Sequence, residues 1–318
     1  MKIGIIDSRG CKNGNFGFQI ESEFKNLGWD TFSINYRMHN LQKFNITNNI
    51  LNKFIIKKII KENPDLLLVN KGESIVPKTI QKIKKEGISV FNWTSDEPFG
   101  YLDKINKINN IDEYDAFFTY DKQYLNDLKE INPNTYYLPA GAQPFGVHKE
   151  RIPLNERKYK WDMCLVGTAY KNRVKLLKKY TNRKLLLAGP GWNKFSKKSL
   201  PFVSIYEMSK LHNMSKVILN IYGPSKYFIV PNPRTFEIPA SKSFQLTNMK
   251  RDINSFFKIN KEIAIYNDEN EFKELVQYYC ENENERIKII KNSYKRVLNE
   301  HTMLHRIKNL ISVYKKIK

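Results

Sequence analysis

Short apolar runs alternate along the first half of the chain with segments in which apolar residues return every three or four positions. The runs Ile3–Asp7, Thr31–Ile34, Asp65–Asn70, Ser89–Asn92, Ala116–Thr119 and Thr135–Leu138 read as strands. Between them, Phe18–Leu27, Ile50–Lys61, Pro77–Lys85 and Lys122–Glu130 read as helices. Strands that are apolar on both faces, each followed by a helix, predict a parallel sheet covered on both sides.

The pattern breaks at Pro139-Ala140-Gly141-Ala142-Gln143-Pro144-Phe145-Gly146, and the polar stretch His148–Lys160 continues the break. Proline and glycine in this density predict an interdomain linker. The alternation then restarts. Strands are expected at Met163–Val166, Lys184–Leu187, Val217–Ile221, Phe244–Thr247 and Ile263–Tyr266. Helices are expected at Asn172–Lys179, Tyr206–Asn213, Thr235–Ser241 and Glu271–Cys280, and the chain from about Asn284 reads as helix to its end. Ser204 with Glu207, and Asp268 with Glu271, have the spacing of capping boxes at two of these starts. Two successive α/β units of similar size are the result. Ligands of such sheets bind beyond the carboxyl ends of the strands, so the loops after strands are where chemistry is sought.

Composition narrows the classes. At 41% hydrophobic and 13% aromatic residues, the chain has material for a sizeable core, which excludes wholesale disorder. No run approaches the apolar length of a transmembrane helix. Met1–Asp7 reads as a first strand, not as a signal peptide. Cys11, Cys164 and Cys280 lie too far apart for a metal pair, and a reducing cytoplasm suits them. Lys and Arg total 54 against 32 Asp and Glu, a net charge of +22, which points to an anionic partner or surface. The lysines are dispersed, however, with no dense basic tail, as a Lys-, Asn- and Ile-rich composition alone would also produce.

Four strand-end segments carry candidate chemistry. The loop Gly10–Gly17 after the first strand holds three glycines, Gly10, Gly14 and Gly17, with Asn15 before the helix. Its spacing is neither a dinucleotide fingerprint nor a P-loop. The turn Asn92–Phe99 sets Asp96 and Glu97 beside Trp93, an arrangement suited to hydroxyl recognition or proton abstraction, or simply to a capped turn. After the first strand of the second unit, Gly167 and Thr168 can present backbone amides and Arg173 opens a helix, where a phosphate is favoured. The richest segment joins Tyr222 to Asn232-Pro233-Arg234-Thr235-Phe236-Glu237. Asn232 can cap a helix with Pro233 at its first position, which puts Arg234 and Glu237 on one face. One can bind phosphate while the other accepts from a ribose diol; the plainer reading is an intrahelical ion pair. Pro239 predicts a short or distorted helix. His301 and His305 share a helix face, where packing is the expected role, and no zinc, serine-hydrolase or kinase signature is present.

At these residues a resemblance enters. Pro233–Asn248 resembles the R-x-F-E-x-x-A-x-G-x-x-x-L-T-D block of the CgeB-like, group 1 glycosyltransferases. Ile263–Tyr266, Glu271–Tyr279 and Arg296–Thr302 with Arg306 continue it, and Trp93–Pro98 is similar to the family's W-x-x-D-x-P turn. Tyr114–Thr119 and Trp161–Arg173 also fit, so the resemblance spans most of the chain. It implies an α/β GT-B fold of two Rossmann-like domains with a cleft between them and a C-terminal helix crossing back. The boundaries expected are 1–147 for the acceptor side, 148–300 for the nucleotide-sugar side and 301–318 for the final helix. It further implies that Glu237 contacts the donor ribose, that Arg173 and Arg234 lie near the diphosphate, and that no cofactor or bound metal is needed. Lys242 stands where the family has glycine, so that lysine reaches the donor or the backbone is shifted; Asn248 stands where the family has aspartate.

The expected activity is transfer of a sugar from a nucleotide-diphosphate donor, a UDP-sugar first, to a hydroxyl acceptor. Gly167, Thr168, Arg173, Tyr222, Arg234, Thr235 and Glu237 form the expected donor side. Gly14, Asn15, Trp93 and Glu97 form the acceptor side, with Asp96 the candidate base if the anomeric centre inverts. The positive charge makes modified DNA or an anionic surface glycan candidate acceptors, and peripheral membrane contact a further one. The competing class is a non-catalytic nucleic-acid-binding protein, although no helix-turn-helix, zinc-finger or RNP pattern is present. An NAD-dependent oxidoreductase lacks its glycine fingerprint.

Overall fold

The computed structural model describes residues 1–318 apart from 9–10, 12–13, 37–44, 100–107, 109, 150, 181–182 and 224–229, and apart from the side chains of 45–47. In chain order the elements are β1 (Lys2–Asp7), α1 (Phe16–Asn26), β2 (Asp30–Asn35), α2 (Asn45–Glu62), β3 (Leu66–Asn70), α3 (Pro77–Lys85), β4 (Ser89–Thr94), β5 (Ala116–Thr119), α4 (Leu125–Ile131) and β6 (Thr135–Tyr137). There follow β7 (Trp161–Val166), α5 (Lys171–Leu177), β8 (Leu185–Ala188), α6 (Ile205–Asn213), β9 (Ser215–Asn220), α7 (Arg234–Ala240), β10 (Gln245–Asn248), α8 (Ile253–Phe256), β11 (Ala264–Tyr266), α9 (Glu269–Glu281), α10 (Glu283–Glu300) and α11 (Met303–Ile317). They form two compact units: Met1–Ala140 with Met303–Lys318, and Gly141–Thr302.

In the first unit six strands run parallel in the order β2-β1-β3-β4-β5-β6. Every residue of β3 and of β5 is buried, as the apolar runs require of strands covered on both faces. The order reverses between β1 and β3, where Asn70 Nδ2 donates to Asp7 Oδ2 beyond the strand ends. Asn15 caps α1 by accepting from Phe18 N at 2.9 Å. The last helix, α11, packs on α1, and its Arg306 Nε donates to the carbonyls of Pro139 and Ala140 at 3.1 and 3.0 Å.

The second unit has five parallel strands in the order β11-β10-β9-β7-β8, reversing between β7 and β9. One apolar cluster includes Leu165, Leu177, Trp192, Leu219, Phe272 and Val276. Another joins Cys164, Ala188, Met208 and Ile238. The Ser204–Glu207 capping box at α6 forms in full. At α9 only half of the expected box is made. Asp268 accepts from Asn270 N and Glu271 N, but Glu271 Oε2 takes its backbone donor from Asn267, at 2.8 Å. The stretch read as a linker is partly core: Ala142, Gln143, Val147 and His148 are all buried. The helix expected to run unbroken from Asn284 ends at Glu300, where His301 O accepts from Ala142 N at 3.1 Å in strand-like pairing that no periodicity announces. Helix α8 is four residues long, too short to leave a periodic signal.

Lys242 retains the backbone of the glycine it stands for, with φ +52 directly after the last turn of α7. Its ammonium turns to the ring of Tyr294, 4.7 Å from the centroid. A left-handed lysine costs about 1 kcal/mol relative to glycine. Lys242→Gly is therefore expected to stabilise the second unit by about 0.5 kcal/mol, once the lost ring contact is deducted. A lower urea midpoint for the variant would contradict this account.

Candidate functional site

Beyond the reversal point of the second sheet, two guanidinium groups hold the strand ends together. Arg173, on the first turn of α5, donates from Nε to Ile221 O at 2.7 Å and from Nη1 to Thr168 O at 2.8 Å. It thereby ties the loop after β7 to the chain leaving β9. Arg234, the first residue of α7, donates from Nε to Val166 O at 2.6 Å, the last residue of β7. Arg173 is nearly buried, and desolvation, then the neighbouring Arg234, lower its pKa to about 10. Glu237 Oε2 lies 3.7 Å from Arg234 Nη1. Among the described residues, no other carboxylate pairs with either arginine. Two cations against one acid leave a positive surplus where the strands end, the electrostatics an anionic group requires.

The loops approach too closely for side chains. A Cβ on Gly167 would stand 2.9 Å from Arg173 Nη1, and one on Gly189 would stand 2.5 Å from Gly167 O. The two turns after β7 and β8 are therefore pressed together, and Trp192 Nε1 closes them by donating to Gly167 O at 2.6 Å.

The remaining donor-side residues form a buried polar network. Tyr222 Oη and Thr235 Oγ1 are 2.6 Å apart, and Asn232 N donates to Tyr222 Oη at 3.2 Å. Burial pushes the Tyr222 phenol up to about 12. Asn232 caps α7, as its position before Pro233 suggested, by accepting from Thr235 N at 3.2 Å. It also exchanges amide bonds with Asn220 at 3.1 and 3.2 Å. Asn220 is a supporting residue that reading strand by strand did not single out. Helix α7 has only seven residues, with Pro239 in its last turn.

Beside this network lies a cavity of about 560 Å³ lined by Asn172, Tyr222, Asn248, Lys250, Tyr266 and Asp268 among others. Asn248, where the resembling family has aspartate, accepts from Tyr222 N at 3.1 Å, and Asn172 Nδ2 donates to Tyr222 O at 2.8 Å. Lys250, which the sequence reading passed over, sits 4.9 Å from the Tyr222 ring centroid, its pKa lowered by burial.

Two further residues were missed. His148 and His212 are wholly buried, bonded through Nδ1 to Ser209 Oγ at 3.2 Å and Ser241 Oγ at 3.1 Å. Desolvation, with nearby Arg151 and Arg234, lowers His148 to about 3. Isolated histidines in a loop and on a helix give no sequence signal for such a pair. His301 packs among Phe236, Phe256 and Phe257, the structural role expected of it.

In the first unit the candidates gather at the ends of β1, β3 and β4. Asp96 pairs with Lys71, a residue the sequence reading did not select, which follows β3 with φ +68. A lysine held in this conformation at a strand end is the kind of strain found at functional sites. Trp93 is fully enclosed, donating from Nε1 to Leu138 O at 2.8 Å, so it supports the turn and offers no ring to solvent. Phe16, at the start of α1, meets its ring edge-on at 4.9 Å, which brings the Gly14–Asn15 turn beside β4. Gly14 has φ +70, and its carbonyl accepts from Gln19 Nε2 at 3.2 Å. Glu97 Oε1 accepts from Phe99 N. Of the first loop, Gly10 lies outside the described residues.

A family model described as glycosyl transferase-like matches residues 171–312. Spore protein CgeB of Bacillus subtilis (strain 168) is 24% identical over 263 residues, covering 76% of this chain and 80% of the relative. The chain is a glycosyltransferase similar to the CgeB-like group 1 enzymes. Its fold is shared with an alpha-glucosyltransferase solved in complex with UDP and a 13-mer DNA containing an HMU base, at a TM-score of 0.65, 14% identity and coverage of 98% and 99%. A structure described as trehalose-6-phosphate from E. coli bound with UDP-2-fluoro glucose matches at a TM-score of 0.67, 11% identity and 98% coverage of both chains. The fold of this glycosyltransferase is GT-B. The matched segment opens at α5 and takes in Arg173, Tyr222, Arg234, Thr235 and Glu237. No helix among the described residues is long and apolar enough to cross a membrane.

Proposed function

We propose that this glycosyltransferase takes its sugar from a UDP-sugar and passes it to a hydroxyl of an anionic acceptor. The observation that carries the donor reading is the pair Arg173 and Arg234 fixed at the reversal point of the second sheet, with Glu237 the one acid paired there among the described residues. The guanidiniums receive the diphosphate and stabilise the charge that develops on it as the glycosidic bond breaks. That role makes a bound metal unnecessary. Glu237 accepts from the ribose diol, Gly167 and Thr168 offer backbone amides, and Tyr222 with Thr235 holds the turn that carries them. UDP is favoured because two proteins of the same fold were solved with UDP or a UDP-sugar.

On the acceptor side the reading assigns Asp96, with Gly14, Asn15 and Glu97 around it and Trp93 as the buried support of the turn. With inversion Asp96 takes the acceptor proton; with retention the departing phosphate takes it, and Asp96 orients the hydroxyl. The surplus of basic residues suits an acceptor that carries phosphates or carboxylates.

A thermal-shift series tests the donor assignment. UDP and UDP-sugars are expected to raise the melting temperature, since a ligand bound only to the native state at 100 times its Kd adds about 2.7 kcal/mol. A response to NAD or duplex DNA with none to any nucleoside diphosphate would overturn the proposal.

A further inference from the structure

The second helix of the first unit carries large apolar residues on two opposite faces. Toward the core, Ile55 and Ile59 are fully buried and pack with Val69 and Ile80, while Asn52 donates to Ser74 O and accepts from Thr79 Oγ1. That face explains the helix. The opposite face is unexplained by folding: Ile50 is 63% exposed, Phe54 48% and Ile60 43%.

Residues 50, 54, 57 and 61 form one stripe at helical spacing, and they are Ile50, Phe54, Lys57 and Lys61. Lys53 and Ile60 border it. Among the described residues none of Lys53, Lys57 and Lys61 is ion-paired, and the acid at the helix end, Glu62, is held by Lys2 at 2.7 Å. The adjoining α3 packs on α2 and exposes Lys78, Lys82 and Lys85.

Single exposed apolar residues are ordinary on soluble proteins. Large apolar side chains interleaved with lysines on one outward helix face can meet the acyl boundary and the acidic headgroups of a bilayer together. We infer that α2 docks this glycosyltransferase on an anionic bilayer surface, with Ile50, Phe54 and Ile60 entering the headgroup boundary and the lysines meeting acidic lipid phosphates. Charge complementarity selects the sign of the surface: the chain carries +22. The apolar residues select a bilayer over a nucleic acid, because Ile50 and Phe54 gain nothing from a phosphodiester backbone. Docking does not depend on the donor assignment. Only its consequence, an acceptor carried at the membrane surface, rests on the proposed transfer.

The test is co-sedimentation of the full-length protein with vesicles of phosphatidylglycerol and phosphatidylcholine, against vesicles of phosphatidylcholine alone, at low and high salt. Binding is expected only to the anionic vesicles and is expected to weaken with salt. The double variant Ile50→Ser with Phe54→Ser is expected to lose at least about tenfold in vesicle affinity, with an unchanged melting temperature, since both side chains face water. The variant Lys53→Glu, Lys57→Glu, Lys61→Glu is expected to abolish it. Vesicle binding equal to that of the unmodified protein in the Ile50/Phe54 variant would overturn the inference. So would binding to duplex DNA with none to anionic vesicles.

Discussion

Glu237→Gln is expected to reduce glycosyl transfer by about 100-fold or more while leaving the melting temperature nearly unchanged. The asymmetry follows from two roles of different size. As the partner of Arg234 three residues earlier, separated by 3.7 Å, the carboxylate adds only a few tenths of a kcal/mol to the short helix α7. In the proposed role as acceptor for a ribose diol, its loss leaves ligand hydroxyls unpaired, a deficit of about 3 kcal/mol in transition-state binding. Arg234→Ala is expected to act in the same direction, but with some loss of stability, because Nε also holds Val166 O at 2.6 Å. Arg234→Lys keeps the charge without the planar fork and is expected to recover only part of the loss. Steady-state turnover of a UDP-sugar, measured with UDP affinity by calorimetry, separates the cases. Full activity in Glu237→Gln would return the pair to a purely structural ion pair and remove the donor assignment.

Each of the eleven strands among the described residues lies where the sequence pattern places it, within a residue or two; the central ones do so because strands covered on both faces leave contiguous apolar runs. The Arg234–Glu237 spacing was equally legible, since a cap and a first-turn proline fix the helix register. Less legible was everything that depends on one strand end meeting another. Lys71 carries no local mark in the sequence; its positive φ and its pairing with Asp96 arise only because β3 and β4 are neighbours. Lys250 faces Tyr222 for the same reason, one residing after β10 and the other after β9. Trp93 shows the opposite error: an aromatic next to two acids invites a binding role, yet burial and its bond to Leu138 make it the floor of the turn. Proline and glycine after Pro139, with the polar stretch that follows, suggested an interdomain linker, whereas Gln143 and His148 are enclosed by tertiary packing that no local pattern encodes.

That enclosure gives the second large effect, a loss of stability on mild acidification. His148 and His212 are buried and neutral; desolvation dominates, with positive charge from Arg151 and Arg234 acting on His148, and from Arg234 on His212. In the unfolded chain both imidazoles take up a proton near pH 6.5. In the folded chain His148 does so only at about 3, and His212 is also lowered well below its ordinary value. Below pH 6.5 the unfolded state therefore binds more protons, so stability falls as the pH falls, and it keeps falling until the folded pKa is reached. His148 contributes a slope approaching about 1.4 kcal/mol per pH unit in that window. Between pH 6.5 and 5, His148 alone removes on the order of 2 kcal/mol, and His212 acts in the same direction. Carboxylates also weaken the fold in acid, so the decisive comparison is with His148→Gln, whose amide preserves a partner for Ser209 Oγ and cannot titrate. Urea midpoints measured from pH 7.5 to 5 are expected to fall less steeply in the variant, with the two curves converging toward neutral pH. Imidazole proton resonances of the folded protein that titrate with a midpoint near 6.5 would show that water reaches the pair, and would remove the basis for the effect.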